Sequence, residues 1–366
     1  MSTYFSAKEL LLPPTERAAF SDRQAYVCAE LSRLAYFKFE GGHIIDQVLG
    51  VAKQFVGDDV RYKILEKELK NLLTGSPSSQ AEGEKALGEI LKAARFNLKT
   101  TFSTQGTQAF LCTKIVRLES GAEKVLAFLV FRGTEPKDFR DIKTDVSAGL
   151  ETIDLDGDLV EFHTGYLNAF RLVKDDIYSA IKNIKYDQLF ITGHSLGGAL
   201  AVVATRILAS SVNGACYTFG APPVGSVTVQ NKLKTPVYQI INKVDIVPRL
   251  PNPWLATGVG ALIRLFKYLA KLFTVTERLL ASGTWDERIE TYIDVMTKYR
   301  HPGYRSYLIG SSSAARLRFN VDSFDLFSWW LALMWKRRIF MFRTMASDHA
   351  IDEYVEKLKQ HASKRQ

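Results

Sequence analysis

The stretch that most constrains the fold of this chain lies between residues 186 and 204. It reads YDQLFITGHSLGGALAVVA: an apolar run, a serine between two glycines, then small apolar residues. The apolar run predicts a fully buried strand, and the small residues predict an apolar helix. Gly193 and Gly197 flank Ser195 at the spacing of a tight strand–turn–helix junction. Side chains at these two positions would collide with the neighbouring strand and helix, so the turn needs glycine at both.

This junction predicts a chemical role for its serine. A tight turn of this kind, called a nucleophile elbow, lifts the Ser195 hydroxyl above the sheet. It also aims the backbone N–H of Leu196, at the start of the helix, toward developing negative charge. A glycine-rich helix start with a capping serine would give similar letters, but the strand before it and the helix after it favour the elbow.

Strand and helix patterns alternate over much of the chain. Runs at 107–118 and 124–133 are rich in β-branched and aromatic residues, and Asp156-Gly157 is a favoured two-residue hairpin turn. Two further short strands follow the serine segment, at 214–222 and 236–248. Alternation of this kind predicts βαβ units, and therefore an α/β fold with a mostly parallel central sheet flanked by helices.

The chain divides into two predicted parts. Residues 1–100 form an N-terminal helical segment packed on the core, with a linker-like stretch at 74–84, and residues 101–366 form the α/β domain. The first twenty residues lack the basic and apolar regions of a secretory signal. We therefore expect a cytoplasmic protein, or one secreted without a leader, that can associate with membranes.

Several motifs together resemble the class 3 lipases, the fungal triacylglycerol lipases and their bacterial and plant relatives. They occur in the order of that family and cover about residues 105–350. The motifs are VFRGT (130–134), FHTGYLNAF (162–170), ITGHSLGGALA (191–201), TFGAPPVGS (218–226), INKVDIVPRLP (241–251) and SDHAIDEYV (347–355). The sequence departs from the family at Phe139, Pro223 and Ser226, and residues 253–298 resemble a helical insertion before the histidine motif.

The resemblance implies an α/β-hydrolase-like fold and a serine ester hydrolase that acts on acylglycerols. A phospholipase A1 or another lipid acyl hydrolase shares the same motifs and is the alternative. A non-catalytic lipid-binding protein with this fold is a further alternative, but its sequence would show a broken catalytic triad. The triad residues are present here.

A serine nucleophile needs a base, and the base needs an acid that fixes its tautomer. In this fold the chain order is serine, acid, histidine, and Asp245 follows a predicted strand at the right place. The histidines after Asp245 are His301, His349 and His361. The resemblance favours His349, because His301 resembles a non-catalytic strand of relatives and His361 lies in a polar tail that we expect to be solvated.

The resemblance also assigns the oxyanion hole. Thr134 would supply its own N–H, in addition to the N–H of Leu196, and its hydroxyl group is a further candidate donor. The other histidines fit this scheme less well as bases. We expect His194 to point away from the nucleophile and pack against loops, and His163 to be a structural hydrogen-bonding residue.

The sequence implies no metal and no cofactor. Asp154, Asp156 and Asp158 lack the glycine and the distant glutamate of a calcium loop, so a solvated hairpin tip is the expectation. The three cysteines are far apart and form no CxxC pair, which predicts reduced, buried thiols rather than a zinc site or disulfides.

Two apolar, basic segments point to a lipid surface. The formal net charge is +9, and without a nucleic-acid motif it favours an anionic membrane or lipid-droplet surface over nucleic acid. Residues 253–273 and 325–343 combine aromatic and basic residues but lack the uninterrupted apolar run of a membrane span. They could instead be buried helices that cover the core. We expect these segments, more than the polar lid position at 135–150, to cover the site and dock to lipid through Phe266, Trp329 and Trp330.

Overall fold

The structure of the chain is a computed structural model. It describes residues 4–11, 19–37, 77–118, 120–133, 149–208, 214–243, 245–250, 293–321, 325, 328–329 and 349–364.

The described residues form a large central sheet and one separate hairpin. The sheet has eight strands in the order β1-β2-β3-β6-β7-β8-β9-β10, and β4 pairs with β5 in the hairpin. Strands β3, β6, β7, β8 and β9 run parallel to one another, while β1, β2 and β10 add antiparallel pairs at the two edges. The strands are β1 Asn97–Thr104, β2 Thr107–Arg117, β3 Glu123–Phe131, β4 Leu150–Leu155, β5 Asp158–His163, β6 Gln188–His194, β7 Gly214–Phe219, β8 Val237–Asn242, β9 Tyr304–Ile309 and β10 Arg316–Phe319.

Helices cover both faces of this sheet. One apolar cluster joins one sheet face to α1, α2 and α6, and a second joins the other face to α3, α4 and α5. The helices are α1 Asp22–Leu34, α2 Pro77–Ala93, α3 Thr164–Arg171, α4 Lys174–Lys182, α5 Leu196–Leu208 and α6 Ile351–Ser363. Short 3-10 helices occur at Lys8–Leu11, Val227–Gln230 and Val247–Arg249. The α/β-hydrolase-like fold, with a mostly parallel sheet flanked by helices, is confirmed.

The polar hairpin turn also forms as predicted. Asp156 and Gly157 connect β4 to β5 with φ values of 54° and 78°, the left-handed pair that a two-residue hairpin turn needs. The N–H of Gly157 donates to Asp154 Oδ1 at 2.7 Å. This bond closes the tip of the hairpin.

Two expectations for the N-terminal third need correction. The linker predicted at 74–84 is wrong for residues 77–84, because they lie in α2 (Pro77–Ala93). A proline in the first helical turn has no N–H to lose and a φ that already suits a helix, so it starts a helix well. The boundary predicted at residue 100 falls inside β1 (Asn97–Thr104), an edge strand of the main sheet that the sequence patterns did not predict.

Some expectations lie outside the described residues. These are the insertion at 253–298 up to residue 292, the lid position at 135–148, and most of the apolar segment at 325–343. Within the described parts of the chain, no helix is both long and apolar enough to cross a membrane.

Candidate active site

The predicted nucleophile lies on a strained turn. Ser195 stands between the end of β6 and the start of α5 with a φ of 56°, a left-handed conformation that costs a residue with a side chain about 1–2 kcal/mol. Its N–H donates to the carbonyl of Phe219 at 2.9 Å, and its own carbonyl accepts the N–H of Gly198 at 2.9 Å. These bonds to the next strand and the following helix hold the turn in place.

The glycines of the motif are needed for close packing. A Cβ atom on Gly193 would overlap the carbonyl group of Gly197 and lie 2.8 Å from the backbone nitrogen of Gly198. A Cβ atom on Gly197 would overlap the carbonyl oxygen of Phe131, at the end of β3. Strand, turn and helix are therefore in direct backbone contact, which is the steric reason predicted from the sequence.

The surroundings of Ser195 leave its hydroxyl available. The residue is 1% exposed, and its Oγ atom has no hydrogen-bond partner among the described residues. Leu196 is the first residue of α5, so its N–H is one of the amides that a helix leaves unused. The ideal Cβ position of Gly133, just after β3, lies 3.3 Å from Ser195 Cβ. Thr134, the other oxyanion residue implied by the resemblance, follows directly but lies outside the described residues.

Asp245 is a buried carboxylate with three donors. It follows β8 and is fully buried. Its Oδ1 atom accepts the N–H of Val247 at 2.9 Å. Its Oδ2 atom accepts the hydroxyl of Tyr354 at 2.6 Å and the Nδ1–H of His349 at 2.7 Å. Hydrogen bonds of this kind compensate a buried charge for the water that it has lost.

The bond to Asp245 determines the tautomer of His349. The carboxylate can only accept, so Nδ1 of the histidine carries the hydrogen, and Nε2 is the nitrogen that can take up a proton. His349 lies just before α6 and is 1% exposed. The structure thus brings together the predicted acid and the predicted base, although they are 104 residues apart in the chain.

Two residues of this site were not singled out from the sequence for these roles. Tyr354 donates to Asp245 and accepts the N–H of Asn242 at 2.9 Å. Gly220 has a φ of 58°, and a Cβ there would lie 2.8 Å from Asp245 Oδ2 and 3.0 Å from His349 Cε1. Both occur in motifs of the resemblance. Their roles depend on contacts between distant segments, which the sequence patterns do not describe.

The competing histidines have other partners. His301 donates its Nε2–H to the carbonyl of Pro248 at 2.5 Å, and burial lowers its pKa to about 4. It therefore supports the loop that carries Asp245. His361 was expected to be solvated, but this is wrong: it is 8% exposed and its Nε2 lies 3.3 Å from Asp22 Oδ1 in α1. The reason is that α6 packs along α1, which buries the inner face of both helices.

His163 and His194, which were not expected to act as bases, differ in their contacts. His163 forms the N-terminal cap of α3, with Nδ1 accepting the N–H of Gly165 at 3.1 Å, in line with the structural role expected for it. His194 was expected to pack against loops. It packs instead on the ring of His349, with the ring centres 4.5 Å apart, and is 2% exposed.

The acidic hairpin is not arranged as a metal site. Asp158 forms an ion pair with Arg206 of α5 and is mostly buried, so the expected solvated tip is wrong for this residue. Within the described ranges, no group of three His, Cys, Asp or Glu residues is placed to hold a metal ion.

All three cysteines are buried free thiols. Burial raises the pKa of the Cys28 and Cys216 thiols to about 12, and it raises the pKa of Cys112 as well. A thiol with a raised pKa stays protonated and unreactive at neutral pH. These residues behave as small apolar side chains of the core.

Only one of the three aromatic residues expected to face lipid is described. Trp329 is half-buried, and its ring lies 5.7 Å from that of Tyr307 in an edge-on contact. The ammonium group of Lys243 lies 4.7 Å from the centre of the Trp329 ring. Trp329 thus packs on strand β9 and on the loop that leads to Asp245. Phe266 and Trp330 lie outside the described residues.

Part of this chain is similar to known lipases. Residues 128–254 match the family described as Lipase (class 3). Toxin TseL of Vibrio cholerae is 24% identical over 206 residues, which are 55% of this chain and 30% of the toxin. A lipase of Rhizopus niveus is 32% identical over 149 residues, 37% of this chain and 36% of the lipase. Secreted mono- and diacylglycerol lipase 1 of Fusarium solani is 37% identical over 100 residues, 24% of this chain and 29% of the lipase.

The matches therefore span only between 29% and 36% of these three relatives. The matched family segment nevertheless contains the elbow around Ser195 and the loop with Asp245, the parts described above from their geometry. Residues 128–254 of this chain are therefore similar to the class 3 lipases.

Proposed function

We propose that this protein is a serine ester hydrolase that cleaves acylglycerols through an acyl-enzyme on Ser195. The observation that carries the proposal is the bond of 2.7 Å between Asp245 Oδ2 and His349 Nδ1. It orients a neutral imidazole with Nε2 as its proton acceptor, in a fold that presents Ser195 on a strained elbow.

The proposed reaction has two steps. Ser195 Oγ attacks the ester carbonyl carbon while its proton passes to His349 Nε2, and the resulting oxyanion accepts hydrogen bonds from Leu196 N–H and from Thr134. The carbon–oxygen bond to the glycerol then breaks, and the alcohol leaves with the proton from His349. A water molecule, deprotonated by the same nitrogen, attacks the acyl-enzyme and releases a carboxylic acid and free Ser195.

The names of the relatives support acylglycerols as the substrate class. The Fusarium relative is called a mono- and diacylglycerol lipase, and the Rhizopus relative is called a lipase. A phospholipase A1 would use the same serine chemistry, so a phospholipid must be tested beside the acylglycerols. The substrate profile therefore needs a triacylglycerol, a diacylglycerol, a phosphatidylcholine and a short soluble ester.

The decisive experiment combines this profile with an active-site label. A serine-directed phosphonate should label the wild type once per chain, on the peptide that contains Ser195, and block hydrolysis of the acylglycerols. Ser195→Ala should lose the label and reduce turnover at least ~10³-fold. Ser311→Ala, at an exposed serine on the loop after β9, is the matched control and should keep both. Turnover that survives in Ser195→Ala, or faster cleavage of phosphatidylcholine than of any acylglycerol, would refute the proposal.

We further propose that the protein works at an anionic lipid surface. The net charge of +9 and the apolar, basic segments 253–273 and 325–343 support this. Leu250 follows the 3-10 helix Val247–Arg249 directly and adds an apolar side chain that is 41% exposed.

Vesicle binding tests the lipid surface. Phe266→Ser with Trp330→Ser, and separately Leu250→Ser, should weaken binding to phosphatidylserine-containing vesicles while sparing hydrolysis of a short soluble ester. The matched control is Ile115→Ser. Ile115 is 62% exposed and pairs with Val125 at the start of β3, the opposite end of the parallel strands from Ser195. Equal vesicle binding by the wild type and by all of these variants would contradict surface docking through these residues.

A further inference from the structure

A chain of hydrogen bonds runs from Tyr36, just after helix α1, to the main chain of the catalytic histidine. The Tyr36 hydroxyl lies 2.8 Å from His194 Nδ1. On the other side of the ring, His194 Nε2 lies 2.6 Å from the carbonyl oxygen of His349. Neither contact involves the reacting atoms assigned above, and neither is used by the proposed reaction.

Only one placement of hydrogens fits these contacts. A carbonyl oxygen can only accept, so His194 Nε2 carries a hydrogen and donates it to His349. Burial, together with the nearby His349, lowers the pKa of His194 well below its ordinary value of 6.5, so the ring is neutral at pH 7. Nδ1 of His194 is then an acceptor, and the Tyr36 hydroxyl is its donor.

Helix α1 fixes the position of Tyr36. Ser32 of α1 shares a hydrogen bond of 3.0 Å with Thr192 of β6, which lies two residues before His194 on the same side of the strand. Tyr36 follows the helix directly, with its N–H donating to the carbonyl of Arg33 at 3.1 Å. The packing of α1 on β6 therefore determines where the tyrosine hydroxyl lies.

The same hydroxyl also touches the oxyanion side of the site. A Cβ atom on Gly133 would overlap both the Tyr36 hydroxyl and the carbonyl oxygen of His194, and would lie 3.3 Å from Ser195 Cβ. Tyr36 thus sits in van der Waals contact with the chain at Gly133, one residue before Thr134. It joins the end of β3 to the residue that holds His349.

We propose that Tyr36 and His194 are positioning residues: Tyr36 fixes the tautomer of His194, and His194 holds the main chain of His349 so that its Nε2 faces Ser195. This inference rests on the proposed ester hydrolysis. Without the tyrosine donor, His194 can move its hydrogen to Nδ1 and turn an Nε2 lone pair toward the His349 carbonyl, which repels it. His349 then loses its main-chain anchor while its bond to Asp245 remains.

The neutral state of His194 suits the reaction cycle. His349 becomes an imidazolium when it takes the proton of Ser195, and the two rings lie only 4.5 Å apart between centres. A second positive charge at this distance would oppose the proton transfer. A histidine whose tautomer is fixed and whose ring stays neutral can hold His349 without this penalty.

Kinetics of matched variants test the positioning roles of Tyr36 and His194. Tyr36→Phe should lower kcat on a soluble ester ~10-fold with KM unchanged, because misplacement of a catalytic group by a fraction of an ångström is costly. Glutamine can place its amide N–H near the position of a histidine Nε2, whereas asparagine is too short. His194→Gln should therefore retain kcat within ~3-fold, and His194→Asn should lose ~100-fold. Tyr178→Phe, at a half-exposed tyrosine of α4, is the control and should match the wild type.

A spectroscopic readout makes the test independent of turnover. Nitrogen-15 NMR of the histidine rings, recorded on wild type and on Ser195→Ala, should show His194 as the neutral Nε2–H tautomer at pH 7. Tyr36→Phe should shift the signal toward the Nδ1–H tautomer, and Tyr178→Phe should not. If His194 of the wild type is charged or carries its hydrogen on Nδ1, the proposed positioning roles are wrong. They are also wrong if folded His194→Asn keeps the kcat of the wild type. If the wild type hydrolyses no ester and does not react with the phosphonate, the proposed function is wrong. The tautomer measurement still shows whether Tyr36 fixes the tautomer of His194.

Discussion

The nucleophile and its acid–base partners are held in different ways. Ser195 is positioned by backbone contacts within one short stretch, where the glycines at 193 and 197 let strand and helix touch. Asp245 and His349 are positioned by side-chain hydrogen bonds between segments more than 100 residues apart. A single added methyl group should therefore disrupt the turn at Ser195 and abolish activity. Removal of single hydrogen bonds around Asp245 and His349 should instead lower activity by amounts that depend on the bond removed.

The largest effect is expected at the elbow. Gly193→Ala places a methyl group into the carbonyl of Gly197, and backbone cannot move aside as a flexible side chain can. We expect more than about 3 kcal/mol of destabilisation and no detectable ester hydrolysis. Gly149→Ala is the control, since a Cβ there meets nothing within 4 Å. Denaturant unfolding of both variants measures the difference, and a stable, active Gly193→Ala protein would disprove the steric account.

On the acid–base side, Asp245→Asn should remove activity without removing the fold. Asparagine keeps the size of the carboxylate but can turn its amide donor toward His349, which favours the wrong tautomer of the base. We expect kcat to fall by ~10³–10⁴-fold. Asp352→Asn, at a mostly exposed residue that contacts Arg33, should change kcat by less than ~2-fold. Similar kcat values for the two variants would argue that Asp245 is not the acid.

A smaller loss is expected at Tyr354. Tyr354→Phe removes one of the three donors to Asp245 and leaves the N–H of Asn242 without its partner. We expect about 1–3 kcal/mol of destabilisation and a fall in kcat of ~10-fold, since His349 keeps its own bond to the acid. Tyr304→Phe, at a tyrosine that is 67% exposed, is the control. Unfolding and kinetics unchanged in Tyr354→Phe would show that the acid does not need this donor.

Acid should weaken the loop that His301 supports. The pKa of His301 is about 4 in the folded protein, below the value of about 6.5 of an unperturbed histidine. The unfolded chain therefore binds the proton first, and stability falls as the pH drops from about 6.5 to about 4. His301→Gln can still donate to Pro248 but does not titrate. Between pH 7 and 5 the wild type should lose about 2 kcal/mol more than His301→Gln, measured by urea unfolding, and parallel losses would refute this assignment.

The same contrast explains what the sequence could predict. The elbow, strands β2, β3, β6, β7 and β8 and helix α5 follow from patterns within a few residues, and the chain order of serine, acid and histidine follows from the resemblance. Local patterns could not predict the burial of His361 against α1 or the contact of His194 with His349. These depend on which segments pack together. Edge strand β1 was missed because it carries polar residues and is only partly buried.

The smallest expected effect is on the free energy of unfolding when the strained Ser195 is replaced. Ser195 combines a left-handed backbone with a buried hydroxyl that has no hydrogen-bond partner among the described residues. Both features cost folding free energy, and both are features of a nucleophile held ready to react. Ser195→Gly removes the strain and the hydroxyl but adds backbone freedom to the unfolded chain, so the net gain should be about 1 kcal/mol. Ser195→Ala removes only the hydroxyl and should gain less. Thermal or urea unfolding of the three proteins decides the order, and a Ser195→Gly protein less stable than the wild type would mean that the turn stores no strain.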